Sequence, residues 1–416
     1  MIGAAVSRGF WVGLAAWLGV LSSCEHDSRM TTTAADAAAK TSVLDAAPKP
    51  DATAQADAAA PKDAATAAAA PARDAAADAG RAPSGPCSPP AEIDQPAARL
   101  RDTGCMDAQR PTQLAAAVIP YEVNSPLWSD SADKLRGMML PAGAKIHVKD
   151  CAKQPGACPA GTADDGQWVF PVGTVLVKSF GFDGKLVETR LFVRFDAETW
   201  VGYSYQWNEQ QTEASIVPDE RRKVTFDTGS RTVEWNYPSR IDCMKCHNPA
   251  GGSTLGPETA QMNRSVAGQN QIDKLAALDL FDAPIPKPYA AALVAPYPSQ
   301  SGSPPAAASI DTRARSYLHA NCGFCHRPDA DFPNIDLRHA IPLSAMNICG
   351  VVPAKGDVGV PSATNLTPGK PMESIMWLRV HAQPGEGRMP QIGTYRVDDA
   401  GLALLGNWID GIQACP

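Results

Sequence analysis

Cys243-Met244-Lys245-Cys246-His247 and Cys322-Gly323-Phe324-Cys325-His326 are two copies of C-x-x-C-H, and the rest of the chain is read outward from them. Two thiols three residues apart on one helical turn can each add to a vinyl group of haem, and the histidine that follows then lies under the iron as proximal ligand. Covalent attachment also keeps such a group from being lost outside the cell. A thioredoxin-like redox pair accounts for one C-x-x-C, but not for a histidine placed directly after both copies. Pooling the four thiols in a zinc site would join segments that start at 243 and 322, and an exported chain favours haem. The motifs therefore predict two covalently bound haem c groups, attached through Cys243, Cys246, Cys322 and Cys325, with His247 and His326 as iron ligands.

Around the second motif the pattern is helical. Asp311-Thr312-Arg313-Ala314-Arg315-Ser316-Tyr317-Leu318-His319-Ala320 reads as a capped helix leading into Asn321-Cys322, and a second helix is expected from Pro371 to Val380, with proline in its first turn. The loop Gln383-Pro384-Gly385-Glu386-Gly387-Arg388-Met389-Pro390 follows, then an amphipathic helix opening at Asp398 with Leu402, Leu405, Trp408 and Ile409 apolar. Helix, motif, methionine loop and terminal helix in this order resemble the class I cytochrome c fold over residues 309–416. The resemblance implies Met389 as the distal sulfur ligand, and His/Met ligation suits electron transfer.

The first motif has less around it. About sixty residues separate His247 from the helix at 311, with a helix expected over 271–278 and a proline-rich connector from Pro284 to Pro305. Met262 is the nearest downstream candidate for the sixth ligand of the first haem, with His147 and His319 as rivals and an empty position as a further possibility. His26, His339 and His381 lack a partner motif and read as surface or structural side chains.

Residues 87–240 carry strand signals. The runs 168–178 and 186–195 are β-branched and aromatic-rich and flank the turn Phe182-Asp183-Gly184-Lys185, which predicts an antiparallel pair. Tyr203, Tyr205 and Trp207 then alternate with Gly202, Ser204 and Gln206, and this aromatic row is expected in the core. Lys223-Val224-Thr225-Phe226 and Arg231-Thr232-Val233-Glu234-Trp235 flank the turn 227–230. Strands at this spacing predict a sandwich or open barrel.

At the other end, Arg8 precedes an apolar run over residues 10–21, about a dozen residues where a membrane span needs roughly 20. It reads as a signal-peptide core. Leu21-Ser22-Ser23-Cys24 resembles a bacterial lipobox, in which Cys24 is lipidated and becomes the new N-terminus; a plain secretory signal is the alternative. Residues 25–86, rich in Ala, Asp, Pro, Thr and Lys, read as a disordered tether with a reach on the order of 40–50 Å. Glu25 is not the aspartate associated with inner-membrane retention in enteric bacteria, which favours the outer membrane.

The whole is expected to be an α+β multidomain protein: signal peptide 1–23, tether 24–86, a β-sandwich-like domain 87–240, a first haem unit 241–308 and a second haem domain 309–416. Its 416 residues are 44% apolar and 19% charged, with 37 basic and 44 acidic side chains giving a net charge of −7. That charge offers no field for nucleic acid. No G-x-S-x-G, H-E-x-x-H, phosphate loop or dinucleotide fingerprint is present, which leaves hydrolase and nucleotide-enzyme readings without support. Of the 11 cysteines, one is assigned to lipid and four to haem. The six that remain allow about 15 pairings, so connectivity is open; proximity favours Cys87–Cys105 and Cys151–Cys158, which would leave Cys349–Cys415.

Longer stretches carry a wider resemblance. Val118-Ile119-Pro120-Tyr121-Glu122-Val123-Asn124-Ser125-Pro126-Leu127-Trp128-Ser129-Asp130, Phe170-Pro171-Val172-Gly173-Thr174, Glu188-Thr189-Arg190, Tyr205-Gln206-Trp207-Asn208, Asn248-Pro249 after the first motif, and Leu255-Gly256 with Gln261 and Asn263 resemble a largely uncharacterised family of exported dihaem c-type cytochrome lipoproteins. The similarity covers about 115–416. It implies electron transfer in the bacterial envelope, facing the periplasm, among other envelope redox proteins and sometimes beside a parallel β-helix protein. Two further function classes fit the sequence: a dihaem peroxidase-like enzyme with an open position on the first haem, and a β-domain ligand-binding module coupled to the cytochromes.

Overall fold

The strand signals of residues 175–207 become the centre of a sheet. In a computed structural model of the chain, residues 87–149, 166–289, 291–297, 308–328, 330–332 and 334–416 are described. The expectations for the signal peptide, Cys24, the tether and the Cys151–Cys158 pair lie outside them. The described strands are β1 (Ile119–Pro120), β2 (Asp133–Met139), β3 (His147–Val148), β4 (Trp168–Val169), β5 (Val175–Phe182), β6 (Lys185–Arg194), β7 (Trp200–Trp207), β8 (Ala214–Ile216), β9 (Arg222–Asp227), β10 (Thr232–Tyr237), β11 (Ser265–Val266) and β12 (Gln269–Asn270). The described helices are α1 (Arg240–Cys246), α2 (Thr259–Met262), α3 (Gln271–Ala277), α4 (Ile310–Asn321), α5 (Ile375–His381) and α6 (Asp399–Asp410). The class is α+β.

The main sheet is antiparallel with six strands in the order β1-β2-β5-β6-β7-β8; β3–β4, β9–β10 and β11–β12 are separate two-stranded ribbons. The expected sandwich is thus one full sheet covered by ribbons, helices and the N-terminal segment. The β5–β6 turn is the one expected, because Asp183 (φ 52°) and Gly184 (φ 81°) both take the left-handed conformation that a two-residue hairpin demands. The run 168–178 is not one strand. Pro171 has no N–H for a ladder, so Trp168–Val169 pairs with β3 and the sheet strand starts at Val175.

Side chains on the two faces of the sheet enter different cores. Val175, Val177, Leu191, Val193, Tyr203, Tyr205 and Trp207 pack with Cys87, Leu100, Cys105 and Val118, so residues 87–118 cover this face. The Tyr203 and Tyr205 hydroxyls donate to the carbonyls of Ile93 (2.7 Å) and Ala97 (3.0 Å). The aromatic row is core, as expected. A disulfide joins Cys87 to Cys105, S–S 2.15 Å, beneath that segment. On the other face Met138, Leu176 and Phe192 join Trp168, Phe170, Met262, Ile272 and Phe281, while the β9–β10 ribbon lays Val233, Trp235 and Tyr237 on Phe180, Phe182 and Val187.

The C-terminal part is helical. Ser309, not Asp311, caps α4 by accepting from Thr312 N, and Asp398 caps α6 by accepting from Gly401 N. The helix expected over 371–380 is a 3₁₀ turn, Pro371–Glu373, followed by α5. Tyr317, Leu318, Leu404, Leu405, Trp408 and Ile409 form the core between α4 and α6, and a disulfide joins Cys349 to Cys415, S–S 2.13 Å. The described residues hold together as one compact unit. The segment 125–130 joins its β and helical parts: Ser125 Oγ donates to Ser316 O (3.0 Å), Trp128 N to Asn321 Oδ1 (2.8 Å), and Asp130 accepts from the Tyr395 and Arg396 amides. Among the described residues no helix is long and apolar enough to cross a membrane.

Candidate functional site

The first motif is carried by α1, and the sequence before it fixes the start of that helix. Ser239 N and Oγ donate to Asp242 Oδ2, and the same carboxylate receives Arg221 Nε and Nη2, each at 2.5 Å, and Lys245 Nζ at 3.0 Å. The Arg221 fork holds the Asp242 carboxyl well below the usual carboxylate range, against the opposing effect of burial. An anionic first turn also suits the helix dipole.

The other end of α1 lies against β7 at Gly202. A Cβ there would come within 2.9 Å of Cys243 Sγ, so only glycine admits this approach. His247 follows, its N–H donating to Cys243 O at 2.9 Å, and its ring lies 4.2 Å from that of Phe192 on β6. Its Nδ1 is 2.6 Å from the carbonyl of Ser253. A carbonyl only accepts, so Nδ1 carries the proton and Nε2 keeps its lone pair. Burial lowers the ring's pKa to about 3, which keeps it neutral. Burial also raises the thiols, Cys243 upward and Cys246 to about 12, the latter with help from Cys325.

The second motif follows the end of α4 as a series of turns. Cys322 N donates to Leu318 O (2.8 Å) and His326 N to Cys322 O (2.9 Å). The His326 ring stacks on Phe332 at 5.2 Å, and its Nδ1 is buried with no hydrogen-bond partner. Burial lowers the His326 pKa and raises Cys322 to about 12 and Cys325 to about 11.

Distant in sequence, the two motifs touch. Asn248 Nδ2 donates to Phe324 O at 3.0 Å, and Cys325 Sγ lies 3.7 Å from Lys245 O. Between them, the sheet and the loop 390–395 runs a cleft of about 1750 Å³ including its open mouth, lined among others by Cys243, Cys246, His247, Phe324 and Tyr395. Its floor is the sheet face that carries Leu176, Phe192 and Gly202 in one row. The next row, directly opposed across four strands, is Arg136, Lys178, Arg190 and Ser204. Three cations side by side repel one another. Arg190 is answered by a fork to Glu188 at 2.8 Å, and Arg136 by Glu122 at 3.5 Å. Lys178, whose Nζ lies over the Phe180 ring at 5.1 Å, is pushed well below its ordinary pKa by burial and then by Arg136.

The remaining expected ligands are placed differently. Met262 is fully buried in the second core beside Trp168 and Ile272, and its sulfur accepts from Gln271 Nε2 at 3.4 Å. It packs, and it does not line the cleft. His147 is an exposed partner of Asp282, Nδ1 to Oδ2 2.7 Å. His319 does line the cleft, but both its nitrogens are engaged: Nε2 with Glu258 Oε1 at 2.6 Å, and Nδ1 accepting from His339 N at 3.1 Å. Met389 lies half-buried in its loop, its N–H donating to Arg379 O at 2.9 Å, and the loop continues into the cleft wall at Pro390 and Ile392.

Ser253, Phe192, Gly202 and the cationic row were not reached from the sequence. Alternation alone placed Gly202 and Ser204 on the face opposite the aromatics; the register that aligns Arg136, Lys178 and Arg190 is a property of four strands together. Among the described residues no three His, Cys, Asp or Glu side chains are gathered as for a bare metal ion. No protein-family model, curated protein or solved structure matches the chain, so the cleft and its two motifs are interpreted on their own geometry.

Proposed function

We propose that the protein is an exported dihaem c-type cytochrome of the family it resembles, carrying electrons between envelope redox partners from a lipid anchor at Cys24 in the outer membrane, sometimes beside a β-helix protein. The observation that carries this reading is His247: a neutral ring, held through Nδ1 by the Ser253 carbonyl, with its Nε2 lone pair left for an iron. Histidines that ligate iron commonly have their other ring nitrogen fixed in this way. The residues present at the first motif fit covalent haem, since the uncharged thiols of Cys243 and Cys246 stand one helical turn apart on α1 beside a cleft whose floor carries an apolar row, matching the ring of that group. When bound, haem supplies a one-electron iron couple. Cys243 and Cys246 would hold the first and Cys322 and Cys325 the second, with His247, His326 and Met389 as axial ligands. The raised thiols do not suit thiol–disulfide exchange, which needs them lowered.

The chain's own part is to fix the two motifs together. The Asn248–Phe324 hydrogen bond and the Cys325–Lys245 approach hold them in a single unit, which suits passage of electrons from one to the other. Intact mass and a haem assay on the full-length exported protein test the proposal: two covalent haems are expected, and a chain without them refutes it. Met389→Ala should lower the potential of one haem only, and an unchanged redox titration removes Met389 as a ligand. A five-coordinate first haem in the isolated protein would favour the peroxidase-like reading instead.

A further inference from the structure

The first motif supplies one axial ligand, His247, and the position across the ring is unassigned once Met262 is found in the core. Two residue rows of the sheet floor the cleft. Phe192 and Gly202, in the first, meet His247 and Cys243. Lys178 stands in the second, one step of about 7 Å along the strands. Among the described residues that line the cleft there is no methionine, and the one histidine besides His247 is His319, engaged at both nitrogens. Guanidinium groups keep their protons and do not ligate, which removes Arg136 and Arg190, each already tied to a glutamate. Tyr203 donates its hydroxyl to Ile93 on the far face of the sheet. Lys178 is different: among the described residues its Nζ has no hydrogen bond or ion pair, and its four-carbon stem lines the cleft with Nζ over the Phe180 ring, 5.1 Å from the ring centre.

We propose that Lys178 Nζ is the sixth ligand of the haem held by the first motif; the inference rests on haem attachment at Cys243 and Cys246. Nζ binds as the free amine. Its lone pair forms the bond to iron, and the proton it gives up passes to solvent through the open mouth of the cleft.

The experiment compares Lys178→Arg and Lys178→Met with the wild-type, full-length, haem-loaded protein by electron paramagnetic resonance, near-infrared spectra and redox titration. Wild type should show two low-spin six-coordinate haems. Lys178→Arg keeps a long basic side chain but, always protonated, cannot ligate, so half of the low-spin intensity should become high-spin while the haem count stays at two. Lys178→Met offers a sulfur and should restore a low-spin signal with a raised potential. The signal of the second haem, unchanged in each variant, reports that the protein is folded. A Lys178→Arg protein that keeps both low-spin signals overturns the inference, leaving Lys178 as a counter-charge for carboxylates. So does a wild-type first haem that is already high-spin, or a low-spin signal that disappears with His319→Gln and not with Lys178→Arg. Absence of haem from the Cys243 peptide fails the underlying function instead, and is distinguished by the haem count alone.

Discussion

Gly202→Ala tests how tightly α1 is seated on the sheet. The added Cβ would stand 2.9 Å from Cys243 Sγ and 3.5 Å from Cys243 Cβ. Ordinary non-bonded contact is about 3.5–4.0 Å, so α1 must lift from β7 by about 0.6–1.1 Å, or Cys243 must leave its rotamer. Phe192 cannot make room, since its ring is stacked on Trp200 at 4.8 Å and against His247 at 4.2 Å. Overpacking of this kind costs about 1–3 kcal/mol, and alanine recovers about 0.5–1 kcal/mol over glycine in extended backbone. A net loss of up to about 2.5 kcal/mol is expected. Urea unfolding of the full-length protein measures it, with Ser204→Ala, two residues along the same face, as control. After proteolysis, mass spectrometry should find haem reduced on the peptide containing 243–247 and unchanged on the one containing 322–326. A Gly202→Ala protein as stable as wild type, with full haem on the first peptide, refutes the reasoning.

Asp242→Asn removes the acceptor of the Arg221 fork; because the Arg221 side chain is half exposed, screening holds the expected cost to about 1–2 kcal/mol at neutral pH. The Asp242 carboxyl is held below its ordinary value of 3.8, so its contribution is present above that pH and is lost as pH falls beneath it. The stability gap between wild type and Asp242→Asn should therefore close below pH 3.8, and a gap that persists into strong acid contradicts the assignment. Replacing Cys349 and Cys415 by serine opens a loop whose ends are 66 residues apart, and a loss of about 4 kcal/mol is expected from chain entropy. An unchanged melting temperature in that double variant would show that the bridge adds nothing.

Local signals were legible wherever the cause was local. Asp183-Gly184 announced its turn, Asp398 its helix, and the spacing of Tyr203, Tyr205 and Trp207 their common core. The run 168–178 misled because β-branched composition outweighed the missing N–H of Pro171. The helix expected to open at Asp311 is capped two residues earlier by Ser309, since both are good capping residues and only the backbone decides between them. Met262 is the instructive miss: nearness in sequence to His247 suggested a ligand, but α2 turns its side chain toward Trp168 and Gln271. What sequence could not give was register. Lys178 is only the last residue of a strand run in the sequence, and becomes a feature of the site when Arg136 and Arg190 are aligned beside it.

The disulfide at Cys87 also governs how the body bears load. Cys87 is wholly enclosed, cross-linked to Cys105 and packed on the sheet face that carries Val175, Tyr203 and Tyr205. The motifs and their cleft lie on the opposite face, with Leu176, Lys178 and Phe192. A pull on the chain ahead of Cys87 is therefore taken up by a covalent staple and by the stiff, laddered width of six strands before it can reach α1 or the turns at 322–326. Tension applied at Cys87 would thus meet the staple and the sheet before the cleft.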